Sequence, residues 1–247
     1  MEICFFLNNH KIQVNNIEEF FEILNTLLKR SNSDSIFIKP IIGAFGENAH
    51  KIALKNIANM ELGKREELFK KILSGNLIFQ ETVLQHSDIS KIYSQSLNTI
   101  RIDTFINDDR ESEIISAAMR MGTDGSYTDN MSGGGFFIGI NLETGCLKKN
   151  GLTYFQYGAK IYSHHPNSGI PFENYKIPYF NEVKEMAQAA SMLLQERLVG
   201  WDIGISDKGP VLIEGNAYYG MASSQMSYGG YRKHPFFKKL IDVVKEK

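Results

Sequence analysis

The chain has 247 residues, 43% of them hydrophobic and 22% charged, with a formal net charge of -1, the composition of a globular protein large enough to bury a core. That charge balance excludes the global electrostatic footprint of a nucleic-acid binder or an acidic-membrane binder. No apolar run approaches the roughly 20 residues that span a bilayer, and the opening MEICFFLNNHKIQ has no basic leader and no small-residue cleavage site.

The two cysteines, Cys4 and Cys146, lie far apart without metal-ligand spacing. They form no disulfide framework, so a reducing cytoplasm is the expected location. In chain order, Ile17, Phe20, Phe21, Leu24, Leu27 and Leu28 fall on one face of a helix predicted over 17–29. The polar turn RSNSDS ends it, and SIFIKPIIGAFGENAHKIAL then reads as strand, glycine-containing loop, strand. A second helix is predicted over about 63–74, stopped by Gly75-Asn76, and LIFQETV reads as a strand. These elements make a smaller mixed lobe, residues 1–84.

The larger lobe, 85–247, opens with a polar segment. NTIRIDTFI and SEIISAAMRMG read as two strands around the charged turn NDDRE. A glycine-rich passage, DGSYTDNMSGGGFFIGINLETG, and a loop rich in His, Pro and Gly, YSHHPNSGIPFENYKIP, follow. One long helix is predicted over 180–195, then the hairpin GWDIGISDKGPVLIEGN. The terminal KHPFFKKLIDVVKEK is a basic amphipathic helix, read as docked on the protein rather than as a membrane anchor. With no internal repeat and no low-complexity linker, the two lobes are expected to form one functional unit.

The hairpin carries the chemistry. With its turn centred on Lys208, Asp202 faces Glu214 directly across the ladder. Glu214 and Asn216, two residues apart, share a face. Directly opposed carboxylates repel at a Cβ separation of about 5 Å. Two carboxylates and an amide converging in this way call for a cation, and hard oxygen ligands suit Mg²⁺. The plainer reading, an exposed strand acid and a turn opened by Glu214-Gly215-Asn216, stands beside it on spacing alone.

Four other features are compatible with phosphate. Lys39 ends a strand next to a loop containing Gly43 and Gly46, whose amides could add donors, although a surface lysine on an ordinary hairpin reads equally well. Arg101 and Arg120 sit within apolar strands, facing solvent or a partner carboxylate, or else an anionic ligand. Asp129 and Asn130 precede three consecutive glycines, Gly133 and Gly134 among them, suited to close approach by a ligand or to a flexible loop. His165 reads as a general base, a substrate contact or an ordinary loop histidine.

Taken in order, LNTIRIDTF, AAMRMG, TDNMSGGG, HPNSGIPFENYKIPYF and VGWDIGISDKGPVLIEGNA resemble the ATP-grasp superfamily and, within it, the sugar-transfer-associated branch. The resemblance runs from about residue 36 to residue 220. It implies an α+β ATP-grasp fold, two lobes gripping ATP between antiparallel sheets, with the α/β domain that usually precedes them largely absent. It further implies that Lys39 contacts the α- and β-phosphates and that the Gly43–Gly46 loop closes over them. Gln80, Glu81 and Val83 of the lobe hinge would border adenine, and Arg101 and Arg120 would be catalytic, neutralising the γ-phosphate and an acyl-phosphate. Asp202, Glu214 and Asn216 would hold one or two Mg²⁺ ions, while Asp129, Asn130, Gly133, Gly134 and His165 would line the phosphate or acceptor side. The implied activity is an ATP-dependent carboxylate–amine ligase in bacterial cell-surface polysaccharide biosynthesis. Its partners would be small-molecule acids and amines, sugar-linked ones among them, and polysaccharide-assembly proteins. An ATP-grasp kinase acting on a hydroxyl and a non-catalytic ATP-binding regulatory module are the alternatives.

Overall fold

A computed structural model describes residues 3–7, 10–14, 16–30, 35–40, 50–73, 77–235 and 237–238. The chain divides into two compact units, Met1–Val83 and Leu84–Lys247.

The first unit opens with a hairpin of β1 (Ile3–Leu7) and β2 (His10–Val14). Helix α1 (Ile17–Arg30) follows where the apolar periodicity places it, with Asn16 Oδ1 accepting from the Glu19 amide at 2.8 Å. That contact satisfies one of the donors a helix start leaves open. Strands β3 (Ser35–Pro40), β4 (His50–Ala53) and β5 (Leu77–Glu81) form an antiparallel sheet in the order β4-β3-β5. Phe20, Phe21, Leu24 and Leu28 of α1 pack with Ile36 and Ile38 of β3 in its core. Helix α3 (Leu62–Leu73) agrees with the predicted second helix.

The expected strand through KIAL is β4 as far as Ala53, and a short helix, α2 (Leu54–Ala58), begins at its last residue, Leu54. Ile52 and Ile57 are both buried. Five residues apart on a strand they would point to opposite faces, whereas a helical turn brings both to one core.

The second unit is built on a seven-stranded antiparallel sheet. Its strands are β6 (Ile100–Ile106), β7 (Ser112–Met121), β8 (Phe136–Ile140), β9 (Leu147–Leu152), β10 (Ile161–Tyr162), β11 (Leu198–Ser206) and β12 (Gly209–Asn216). They lie in the order β10-β9-β8-β7-β6-β11-β12, so β11 returns to lie beside β6. Alternation gives the sheet two faces. One face, with Ile100, Ile102, Met119, Phe136, Ile138, Trp201 and Ile203, packs against α4 (Ser87–Ile92) and α5 (Phe180–Ser191). The other carries Arg101, Asp103, Arg120 and Asp202 and is partly covered by α6 (Ala222–Tyr228).

Helix α5 stops at Ser191, short of the predicted 195. The Leu193 and Leu194 amides bond back to Ala190 and Ser191 in tight three-residue turns, and both leucine side chains are exposed, so no packed face extends the helix. The helix expected over 233–247 lies mostly outside the described residues, as does the 41–49 loop with Gly43 and Gly46. Among the described residues no helix is long and apolar enough to cross a membrane.

Candidate functional site

The polar face of the second unit's sheet and the loop beside it bring five predicted residues, Arg101, Arg120, Asp129, Asn130 and Asp202, into one largely buried network. Asp202 on β11 is the register partner of Arg101 on β6 and of Glu214 on β12. Its Oδ1 accepts from Arg101 Nε at 2.6 Å, and its Oδ2 from Arg101 Nη2 and Arg120 Nη1, each at 2.9 Å. Bidentate pairing of this kind is the strong form of the arginine–carboxylate bond. Asp202 is only 4% exposed. Burial pushes its carboxyl up, but the two guanidinium groups more than offset this and hold it below the usual carboxylate range.

Arg120 continues the chain. Its Nη2 lies 3.2 Å from Asp129 Oδ1 and donates to Asn130 Oδ1. Asp129 is in turn held by the Thr99 amide and hydroxyl, at 2.9 and 2.5 Å. Burial works against the Arg120 charge, but Asp129 and Asp202 raise its pKa overall; Arg101 is raised in the same way by Asp202. The glycine run supports this arrangement through the backbone. Gly133 and Gly135 donate to the Asn130 carbonyl, and Gly134 turns the chain at φ +92°. A Cβ at Gly135 would lie 2.7 Å from the Asp129 and Met121 carbonyls. The turn therefore sets Asp129 and Asn130 against Arg120.

The hairpin reaches the expected register by an unexpected route. Ser206 pairs with Gly209 across a two-residue turn, Asp207-Lys208, not one centred on Lys208. A bulge at Ile213, between the pairs Ile203–Leu212 and Asp202–Glu214, then restores the register. Glu214 and Asn216 share a face, with Asn216 Nδ2 donating to Glu214 Oε1 at 3.3 Å. Gly215 between them lies over the Trp201 ring, where a Cβ would come within 2.5 Å of Cζ3.

Among the described residues no group of three or more His, Cys, Asp or Glu is placed to hold a metal ion. Mg²⁺ seldom needs such a cage, since one or two carboxylates plus substrate phosphates and water usually complete its shell. Glu214 and the Asn216 amide oxygen fit that donor set. Asp202 fits it only by sharing oxygens that two arginines already engage.

His165 is fully buried. Its Nε2 lies 3.0 Å from the Gly122 carbonyl, its Nδ1 accepts from the Asn167 amide at 3.2 Å, and its ring packs on Tyr93 and Phe136. Both nitrogens are engaged within the protein, so the ring is held as a core histidine. Lys39, half-buried on β3 opposite Ile78, and Gln80, Glu81 and Val83 at the end of β5 and just beyond it belong to the first unit.

Sequence reasoning missed Thr99, Tyr219 and Asp103. The Tyr219 ring packs on Gly200, with Arg101 Cζ 5.5 Å from its centroid. Asp103, fully buried two residues along β6 from Arg101, accepts from Tyr231 Oη at 2.6 Å and Ser116 Oγ at 2.9 Å. Burial pushes its carboxyl above the ordinary range, and the neighbouring hydroxyls draw it back. The alternation in RIDTF, which puts Asp103 on the arginine face, was the available signal.

A family model described as Sugar-transfer associated ATP-grasp matches residues 7–234. No curated protein sequence matches. Among solved structures, the chain is similar to D-alanyl-alanine synthetase A from Vibrio cholerae O1 biovar eltor, with 13% identity over 100% of this chain and 59% of that one and a TM-score of 0.52. It is also similar to the D-cycloserine synthetase DcsG, with 10% identity over 92% and 60% of the two chains and a TM-score of 0.48. The chain thus spans 59% and 60% of the lengths of these proteins. At such identity the likeness to the Vibrio protein shows a shared fold.

Proposed function

The chain belongs to the sugar-transfer associated ATP-grasp family, and from that premise we propose that it is an ATP- and Mg²⁺-dependent carboxylate–amine ligase. The observation that carries this reading is the convergence of Arg101 and Arg120 on the strand pair bearing Asp202, Glu214 and Asn216. Two fixed guanidinium groups beside a hard-oxygen cation site suit the γ-phosphate of a nucleotide. Glu214 and Asn216 would hold Mg²⁺, with Asp202 as a third oxygen ligand, and the cation would neutralise phosphate charge.

In the proposed reaction a substrate carboxylate oxygen attacks the γ-phosphorus, and the bond to the β–γ bridging oxygen breaks to release ADP. An amine then attacks the acyl carbon of the acyl-phosphate, loses a proton and expels inorganic phosphate. Such chemistry needs alignment and charge stabilisation more than a protein nucleophile. Arg101 and Arg120 supply the charge. Asp129, Asn130 and the turn through Gly133 and Gly134 keep Arg120 in place. Lys39 would contact the α- and β-phosphates, and Gln80, Glu81 and Val83 would border adenine. The family's description as sugar-transfer associated supports sugar-linked acids or amines as substrates, and a role in cell-surface polysaccharide assembly is the setting proposed for them.

The test is incubation of purified protein with Mg·ATP and a panel of sugar acids, amino acids and amino sugars, followed by mass analysis. ADP release with a dehydrative condensation product is the expected result. A product that retains phosphate would identify a kinase instead. Neither ADP nor amide across the panel would overturn the ligase reading.

A further inference from the structure

The arginines that would take a phosphate are already taken by a carboxylate. Asp202 engages Arg101 through both oxygens and Arg120 through one, while Asp129 engages Arg120 from its other side. Three carboxylates, Asp129, Asp202 and Glu214, therefore accompany two guanidinium groups, and Asp103 lies two residues along β6 from Arg101. Asp129 and Asp202 already match the two guanidinium charges before a ligand arrives. A free polyanion must therefore displace a buried, charge-assisted pair.

A divalent cation changes that balance. Bound at Glu214 and Asn216, it sits on the strand directly across from Asp202, where opposed Cβ atoms are about 5 Å apart. Its two charges add an attraction for the anion. It also offers Asp202 a partner other than the guanidinium groups, which can then be given up to phosphate.

We propose that Asp202 is a specificity-determining residue that makes anion binding by Arg101 and Arg120 conditional on a divalent cation, so that the site selects metal-complexed over free polyphosphate. This rests on the Mg·nucleotide reading of the site. Asp202 acts as a latch on the arginine pair, and the cation at Glu214 and Asn216 is what opens it.

The test is calorimetric titration of the full chain with inorganic tripolyphosphate, in EDTA and in Mg²⁺. Asp202→Asn keeps the shape of the side chain but frees the arginines from its charge. It is expected to bind metal-free tripolyphosphate about tenfold more tightly than wild type, a typical coupling between linked sites. Glu214→Gln, at an exposed position, leaves the latch closed. Its metal-free affinity should stay within about threefold of wild type, while the Mg²⁺ enhancement is lost. The wild-type protein gives a readout that needs no variant: sulfate, a feeble Mg²⁺ ligand in water, should bind about fivefold or more tightly with Mg²⁺ than with EDTA. Three results overturn the proposal while wild type still binds ATP with Mg²⁺: no metal-free gain in Asp202→Asn, an equal gain in Glu214→Gln, or sulfate affinity indifferent to Mg²⁺. Failure of wild type to bind ATP with Mg²⁺ at all would overturn the ligase reading, and this one with it.

Discussion

His165 shows how a residue with obvious chemistry can be put to structural use. Burial, the first cause, lowers its pKa, so the folded protein keeps the ring neutral. The unfolded chain takes up a proton near the ordinary value of about 6.5. Stability is therefore complete above that pH and falls as the pH drops below it toward the depressed folded value. His165→Gln should flatten this part of the profile: the difference in thermal midpoint between wild type and variant should shrink or reverse as the pH falls from 7.5 to 5.5. A constant difference across that range would mean that the ring is not held neutral. Nothing in SHHPNSG distinguishes a core histidine from a loop histidine, because an irregular segment has no period to report burial. Asp129 was legible as a polar site residue, but its attachment to Thr99 and Arg120 was not, since those partners meet only through the sheet. Asp129→Ala leaves a buried guanidinium short of a carboxylate and should cost about 3–5 kcal/mol in denaturant unfolding. A cost below about 1 kcal/mol would show the pair to be solvated.

The β11–β12 hairpin was the most readable element and still hid two features. Its shorter turn and the bulge at Ile213 shift the register in opposite directions, so the expected Asp202–Glu214 pairing survives. A bulge leaves little trace in sequence, because Ile213 is as apolar as a regular strand residue. Gly215 has a similar origin: it is the register partner of Trp201, and the indole occupies the space a side chain would need. Gly215→Ala should cost about 1–3 kcal/mol through overpacking and should weaken Mg²⁺-dependent nucleotide binding, because Glu214 and Asn216 flank the displaced backbone. Calorimetry and thermal unfolding read both effects, and an unchanged midpoint would contradict the close packing. Strand β8 went unread because GGGFFIGI is glycine-rich. Gly139, which suggests a loop, is required because the α6 backbone at Ser227 lies 2.9 Å from where its Cβ would stand.

At the scale of the molecule, each unit has its own core, one centred on Phe20, Leu24 and Ile38 and the other on Ile102, Phe136 and Ile203. Helical and strand periodicity exposed both, since long amphipathic segments such as 17–29 and apolar strands such as β6 carry their burial in their spacing. The strand order did not show: β11 returns beside β6 across about ninety residues, a non-local pairing that no local pattern encodes. Leu24→Ala should lower the first unit's stability by about 2–5 kcal/mol. Hydrogen exchange should then quicken in α1 and β3 while β6 to β8 keep their protection, and loss of protection throughout would mean that the two cores unfold as one. The central claim is that the face carrying Arg101, Arg120, Asp202, Glu214 and Asn216 binds nucleotide through a divalent cation. Calorimetric titration of ATP into wild type and Glu214→Gln, each with Mg²⁺ and with EDTA, tests it most directly. Wild type should bind with Mg²⁺ and lose at least about tenfold in affinity in EDTA, and Glu214→Gln should bind with Mg²⁺ no better than wild type does without it. Equal Mg²⁺-dependent affinity in the two proteins would contradict the assignment.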